Sequence, residues 1–328
     1  MKKGLSRFIF YTEQIKVLIK RSGEQKDPAM WLFRNNARTP FFMLEGLAKL
    51  YSGLHNEKKF KKLKEHFKLV EDGIGQIDYY DSLYHSFKSE KKIPVVCRQY
   101  INEQINRSSK HLNEVLTVED WLSGDNRRIV KITKKLNEAD WMKPSEEVEA
   151  ISEFYKDSFS SINDFIEDTR YHFDNVEEDV HELRRKLRWL SIYPQALQGA
   201  VQYSADEKPA AGIKKYLTNE IVNSPFNKFS EPGDNTAFLL FRKNHFLALS
   251  WVIAELGKLK DEGLLLHGLC EALIKSASCS EDEALERAYL ILGSSQRKME
   301  KILDDAEVIA KQFFAKNILQ NLIAGTKT

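Results

Sequence analysis

Residues that interrupt helices are scarce in this sequence, which has eight prolines and 15 glycines among 328 residues. Proline removes a backbone donor and glycine adds conformational freedom, so their scarcity leaves long segments free to form helices. Apolar residues recur with helical period along most of the chain, and no convincing strand pattern is present. The sequence therefore predicts an all-α fold with long helices.

Cysteine is also rare, and Cys97, Cys270 and Cys279 form neither a CxxC pair nor a repeated spacing. This pattern argues against a disulfide framework and is typical of reduced thiols buried in a cytosolic protein. His267 lies close to two of them in sequence, but a zinc site would still lack a fourth ligand. We interpret these side chains as core residues and expect neither a metal nor a cofactor.

The chain has no excess of one charge, because 50 basic and 48 acidic residues leave a net charge of +2. We therefore do not expect nucleic acid as a partner, and any anion site must be local. Long apolar runs and a secretory signal are also lacking, so we expect no membrane association and a cytoplasmic location. Neither a P-loop nor a GxGxxG turn occurs, which leaves nucleotide hydrolysis and dinucleotide chemistry without support.

Several helix boundaries can be predicted. Residues 29–52 are predicted to form one helix with a kink at Pro40, and another long helix is predicted to begin at Pro144. Asn175 is placed to cap a helix, and Ser280 begins a capping-box sequence. The last helix is predicted to run from about 296 to 322.

The segment 204–236 breaks this rhythm, because it collects three prolines together with Gly212 and Gly233. We interpret it as an inserted, mobile loop. It falls in the second of two predicted halves, 1–150 and 151–328, which together would form one compact, duplicated unit.

Two arginine pairs stand out, each with a spacing of four residues: Arg34 with Arg38, and Arg184 with Arg188. His181 precedes the second pair by three residues, so it shares a helix face with these arginines. Cations on one face repel each other unless an anion or solvent lies over them. A solvated basic face and an anion site are both consistent with this spacing.

The two halves repeat features at fixed offsets. An offset of 150 residues superposes the two arginine pairs. An offset of 182 residues superposes Gly75 on Gly257 and Lys61 on Lys243. These offsets predict an internal duplication.

The segment VHELRRKLRWL contains the pattern His-x-x-Arg-x-x-x-Arg, and LALSWVIAELGKLKDEGLLLHGL contains Leu-Gly-x-x-x-Asp. In these elements the sequence resembles the conserved histidine α-helical domain (CHAD) family. The first half resembles the family through its arginines and LKEHFKLVEDGIGQIDYYDSL. The resemblance extends over most of the chain, although its motifs are short.

The resemblance implies two helical bundles related by a pseudo-twofold axis, with basic residues of both halves lining a central channel. It also implies a binding module without catalytic activity that takes inorganic polyphosphate or a similar phosphorylated polyanion. The positions matching the family's basic residues are Arg34, Arg38, His181, Arg184 and Arg188, with Lys61 and Lys243 as further candidates.

This sequence also departs from the family pattern. Trp31 stands where the first histidine is expected, and Tyr79 replaces the aspartate that Asp261 retains in the second half. The competing hypothesis is therefore a protein-interaction scaffold with a degenerate channel, which docks a partner through segment 204–236 or through helix surfaces. A third is a hydrolase that uses His181. Convergence of the four arginines on one cavity would favour the anion, whereas carboxylate pairing of each would favour the scaffold.

Overall fold

The computed structural model describes residues 2–205, 208–277 and 279–328. The protein is mostly helical, which confirms the predicted class at that level. The α-helices are α1 (Lys3–Ser22), α2 (Pro28–Arg34), α3 (Arg38–Leu54), α4 (Glu57–Ser89), α5 (Val95–Val118), α6 (Arg127–Asn137), α7 (Pro144–Asp168), α8 (Glu182–Ala196), α9 (Asn219–Asn223), α10 (Lys243–Ala277), α11 (Glu281–Leu292) and α12 (Met299–Phe314). A π-helical turn, Val176–His181, leads into α8, and short 3-10 turns cover Lys214–Tyr216, Pro225–Asn227 and Gly293–Ser295.

The predicted helix caps are confirmed. Pro144 is the first residue of α7, where a missing N–H costs nothing. The Asn175 side chain accepts hydrogen bonds from the first amides of the π-helical turn. Ser280 and Glu283 form a reciprocal capping box at the start of α11. These ends depend on contacts between residues three or fewer positions apart, which explains why the sequence reveals them.

The prediction of a single helix over 29–52 is wrong. Helix α2 ends at Arg34, and Asn36 adopts a left-handed conformation with φ of 54°. Its N–H and that of Ala37 turn back to carbonyls of α2, at 3.2 and 3.0 Å, which forms a Schellman end. Pro40 lies in the first turn of α3, where it is tolerated, so the break comes before the proline. The first arginine pair is therefore divided between two helices.

The absence of strands was also predicted wrongly. Strands β1 (Val201–Tyr203), β2 (Phe238–Phe241) and β3 (Ile323–Lys327) form one sheet in that order, with β1 parallel and β3 antiparallel to β2. The predicted last helix is correspondingly shorter, because α12 ends at Phe314 and the chain continues into β3. Strands of three to five residues are too short to show a clear two-residue period.

The described part of segment 204–236 packs against the rest of the chain. Asn227 is at the centre, since its carbonyl accepts from the Tyr203 hydroxyl at 2.7 Å and its side chain accepts from the Ser250 hydroxyl at 2.6 Å. Gln202 also donates to the Ser230 carbonyl at 2.9 Å. These bonds tie the segment to the sheet and to α10, in contrast to the mobile loop that was expected.

Two helix pairs position the basic residues. Helix α3 packs along α4, α8 packs along α10, and α3 and α8 meet between them. At this meeting point the rings of Phe42 and Trp189 stack with centroids 4.6 Å apart. Gly46 permits the close approach, because a Cβ there would lie 3.1 Å from the Trp189 ring. Within the described residues, no helix combines the length and the apolar character needed to cross a bilayer.

Candidate anion-binding site

Arg184 lies flat against α10 at a glycine. A Cβ on Gly257 would lie 2.9 Å from Arg184 Nε, so a side chain there would displace this guanidinium from its present position. Arg184 Nε donates to the Ile253 carbonyl at 3.2 Å. No carboxylate in the described residues lies within ion-pair distance of it. Burial lowers the pKa of Arg184, and the charge of Asp261 opposes this only in part.

Arg38 lies against α4 in the same manner, because a Cβ on Gly75 would lie 2.8 Å from Arg38 Nη2. Two of its five donors, however, are already used by the protein. Nε donates to Glu71 Oε1 and Nη1 donates to Asp78 Oδ2, both at 2.7 Å. The Glu71 side chain is only 8% exposed. The Arg38 charge is therefore compensated within the chain.

The difference between the two arginines can be read from the positions at the same distance from the two glycines on α4 and α10. The offset of 182 residues that superposes the two glycines also superposes Glu71 on Ile253 and Asp78 on Lys260. An apolar side chain and a cation thus replace the two carboxylates. Lys260 is itself paired with the adjacent Asp261, whose oxygen lies 2.7 Å away. Among the described residues, Arg184 is left without a carboxylate at ion-pair distance.

Arg188 lies one helical turn beyond Arg184, and its guanidinium is 4.9 Å from the ring centroid of Phe42 on α3. Its side chain is exposed, and no ion pair or hydrogen bond of its guanidinium occurs in the described part of the chain. Desolvation by the surrounding protein and repulsion from Arg184 and Arg38 lower the pKa of Arg188 to about 10, against a smaller opposing effect of Glu71. At neutral pH the group still carries its charge.

His181 ends the π-helical turn immediately before α8, and such turns are frequent at functional sites. Its Nδ1 is buried and has no hydrogen-bond partner among the described residues, while a Glu177 oxygen lies 3.7 Å from it. Burial lowers the pKa of His181, and the charges of Lys260 and Arg184 lower it further, against the opposing charge of Glu177. The surroundings thus favour the neutral form of the imidazole.

The structure divides the seven predicted residues into two groups. His181, Arg184, Arg188 and Arg38 gather where α8 meets α3, α4 and α10. Arg34, Lys61 and Lys243 lie elsewhere.

Each residue of the second group has its own surroundings. Arg34 is exposed at the end of α2, near Asp27. Burial raises the pKa of Asp27, but hydrogen bonds from Asn113, Met30 and Ser109 outweigh it, together with the charge of Arg34, so that the pKa is lowered. Lys61 is exposed on α4 and pairs with Glu57. Lys243 is the exposed first residue of α10. Each lysine lies 14 residues before the glycine of its helix, about 21 Å at 1.5 Å per residue.

Sequence reasoning missed the acidic side of this region. Glu71 and Asp78 bracket Gly75 on α4 with helical spacing, which is the signal that could have identified them. Glu45 on α3 was also missed. Burial and the neighbouring Glu71 raise the pKa of Glu45 to about 7. Burial likewise lowers the pKa of Lys49 to about 8, against the opposing charge of Glu45.

The raised pKa of Glu45 predicts a pH-dependent stability. Its folded-state pKa of about 7 exceeds the ordinary 4.5, so the folded protein loses stability as pH rises through this window. The interval corresponds to an upper limit of roughly 3 kcal/mol at about 1.4 kcal/mol per pKa unit. We therefore compare the free energy of unfolding of Glu45→Gln with that of wild type. The difference, variant minus wild type, should be about 2 kcal/mol higher at pH 8 than at pH 5. Urea unfolding at both pH values measures this, with exposed Glu65→Gln as the control. An equal difference at both pH values would refute it.

Neither of the two described surface depressions is lined by Arg38, Arg184 or Arg188. One, of about 710 Å³, runs between α7 and β3, and the other, of about 520 Å³, lies beside α5. Within the described residues, no group of three or more His, Cys, Asp or Glu side chains is placed to hold a metal ion. What the site offers chemically is a set of guanidinium donors on an open surface between helices.

No protein-family model, no curated protein and no solved structure matches this chain. Membership of the CHAD family therefore stays a prediction.

Proposed function

We propose that this protein is a binding module without catalytic activity, which holds a phosphorylated anion at His181, Arg184 and Arg188. Inorganic polyphosphate is the first ligand to test. The observation that carries the proposal is the pair Arg184 and Arg188, two neighbouring guanidiniums that have no carboxylate at ion-pair distance in the described part of the chain.

The physical argument starts from repulsion. Like charges one turn apart on a helix destabilise it, and here each guanidinium also lies close to further cations. A phosphate group removes this cost, because its oxygens match the planar donors of arginine. The neutral His181 ring adds one N–H donor beside them. Because the donors lie on α8, little ordering is needed when the anion binds.

The proposal includes an ancestral duplication of CHAD type. It is supported by a matching contact in the two halves, because the Arg38 guanidinium lies against Gly75 and the Arg184 guanidinium lies against Gly257. Each Nε donates to the residue four positions before its glycine. By this geometry Arg38 corresponds to Arg184. The offset of 150 residues instead aligns Arg38 with Arg188, which lies one helical turn further along α8. The predicted cytoplasmic location belongs to the same proposal and agrees with three unpaired thiols.

Binding of polyphosphate by Arg184→Ala/Arg188→Ala tests the proposal. We expect the double variant to bind at least tenfold more weakly than wild type, because each charge-assisted contact contributes about 1.5–3 kcal/mol. Wild-type affinity should also fall between about 50 and 200 mM salt, as it does for phosphate contacts in general. Isothermal titration calorimetry at both salt concentrations gives both results.

The matched control is Arg107→Ala/Lys110→Ala, which removes the same charge from exposed positions on α5. It should keep wild-type affinity. Equal affinity of wild type and the Arg184→Ala/Arg188→Ala variant would remove the proposed site.

A protein-interaction scaffold is the second candidate. The observation that favours it is the pairing of Arg38 with Glu71 and Asp78, which the scaffold hypothesis requires of every arginine. Complete absence of polyphosphate binding by wild type at about 50 mM salt would favour this candidate over the anion site.

A further inference from the structure

Arg38 and Arg184 have the same position relative to a glycine but opposite electrostatic surroundings. Arg38 already has two carboxylate acceptors at 2.7 Å, whereas within the described residues the acceptor of Arg184 is a backbone carbonyl. The carboxylates of Glu71 and Asp78 thus occupy, from within the chain, the positions that phosphate oxygens would take on Arg38. They act as built-in counter-anions.

An external phosphate cannot easily replace them. The Glu71 side chain is nearly buried, so a phosphate on Arg38 would leave a buried carboxylate without its partner. The phosphate would also face the negative charges of Glu71 and Asp78 at close range. A chain of phosphates that extends from Arg184 across Arg188 therefore meets an acidic boundary at Arg38.

The open part of the site is short. Arg184 and Arg188 lie one turn apart on α8, about 6 Å between their side-chain attachment points. Two or three linked phosphates cover such a span. The two lysines that were predicted to extend it do not do so, since Lys61 and Lys243 lie roughly 21 Å along their helices from the two glycines.

Resting on the proposed function, we infer that the site takes a short phosphate chain of two or three phosphates, held by Arg184 and Arg188, because Glu71 and Asp78 close the Arg38 half to ligand. The site is one-sided, and the chain's own acidic residues set the length of its ligand.

The test compares pyrophosphate, tripolyphosphate and long-chain polyphosphate, with concentrations expressed as phosphate. Wild type is expected to bind tripolyphosphate and the long chain within about threefold of one another. In Glu71→Gln/Asp78→Asn, Arg38 keeps neutral acceptors of similar shape but loses its counter-anions. This variant is expected to bind the long chain at least tenfold more tightly than wild type does, with a smaller gain for pyrophosphate.

Glu65→Gln/Glu103→Gln is the control, because it removes two exposed carboxylates away from Arg38 and should not change the preference for length. Asp78→Asn alone, at a half-exposed carboxylate, should give a gain of about threefold in the same direction and guards against misfolding of the double variant.

The outcomes separate the two proposals. Wild-type binding that depends on Arg184 and Arg188 but favours the long chain more than tenfold would overturn the one-sided site and leave the proposed function intact. No gain in either carboxylate variant would overturn it as well. If none of the three ligands bound to wild type, the proposed function itself would be wrong.

Discussion

Replacement of Glu147 by leucine is expected to lower the free energy of unfolding by about 3–5 kcal/mol. Glu147 on α7 is 2% exposed and accepts from Arg7 Nη1 at 2.7 Å and from the Tyr51 hydroxyl at 2.6 Å. Arg7 also donates to the Tyr51 oxygen, at 2.7 Å. Since Arg7 is 3% exposed, the variant would leave a buried guanidinium without its counter-charge. The three side chains join α1, α3 and α7, so their loss affects the packing of all three helices.

Chemical denaturation of Glu147→Leu, Arg7→Met and the double variant measures this effect. Each single change should be strongly destabilising, whereas the double variant should lose clearly less than the sum, because no unpaired charge remains. Glu149→Leu, at an exposed position of the same helix, is the matched control and should change stability by less than about 0.5 kcal/mol. Additive losses would show that the ion pair does not act as a unit.

A second large loss, about 3 kcal/mol, is expected for Gly199→Ala. Gly199 has φ of 84°, and a Cβ there would lie 2.1 Å from the Glu231 carbonyl oxygen. The left-handed conformation alone costs roughly 1–2 kcal/mol for a residue with a side chain. The contact adds to this cost because a backbone carbonyl cannot rotate away as a side chain can. The variant should therefore also loosen the hold of segment 204–236 on the start of β1.

Two further variants separate the causes. Gly233→Ala has φ of 56° and no atom within 4 Å of the added carbon, so it should lose only about 1 kcal/mol. Gly124→Ala has neither feature and should be neutral. Thermal unfolding followed by circular dichroism compares the three. If Gly199→Ala were no less stable than Gly233→Ala, the contact with the Glu231 carbonyl would not contribute to the loss of stability.

The parts of the fold that could be predicted from sequence are those with local causes. The caps at Asn175 and Ser280 depend on residues that are neighbours in the chain. The sheet could not be predicted in this way, because β2 pairs with residues near 201 and near 325 and each strand is very short. The break before α3 had a local signal, the Asn35-Asn36 pair, which the nearby proline obscured.

The candidate site shows the same division. The spacing of Arg184 and Arg188 follows directly from the sequence, and both arginines do lie at the junction of the two helix pairs. The compensation of Arg38 could not be predicted from its neighbours, because Glu71 and Asp78 follow it by 33 and 40 residues. Only the packing of α3 along α4 brings these groups together.

The stacked rings of Phe42 and Trp189 have a consequence for recognition. They fix the separation of α3 and α8, and Arg188 lies over the same Phe42 ring. The position of Arg188 relative to α3 is therefore set by packed aromatic rings. On the proposed function, these packed rings would let the site select an anion by fit, without closing around it.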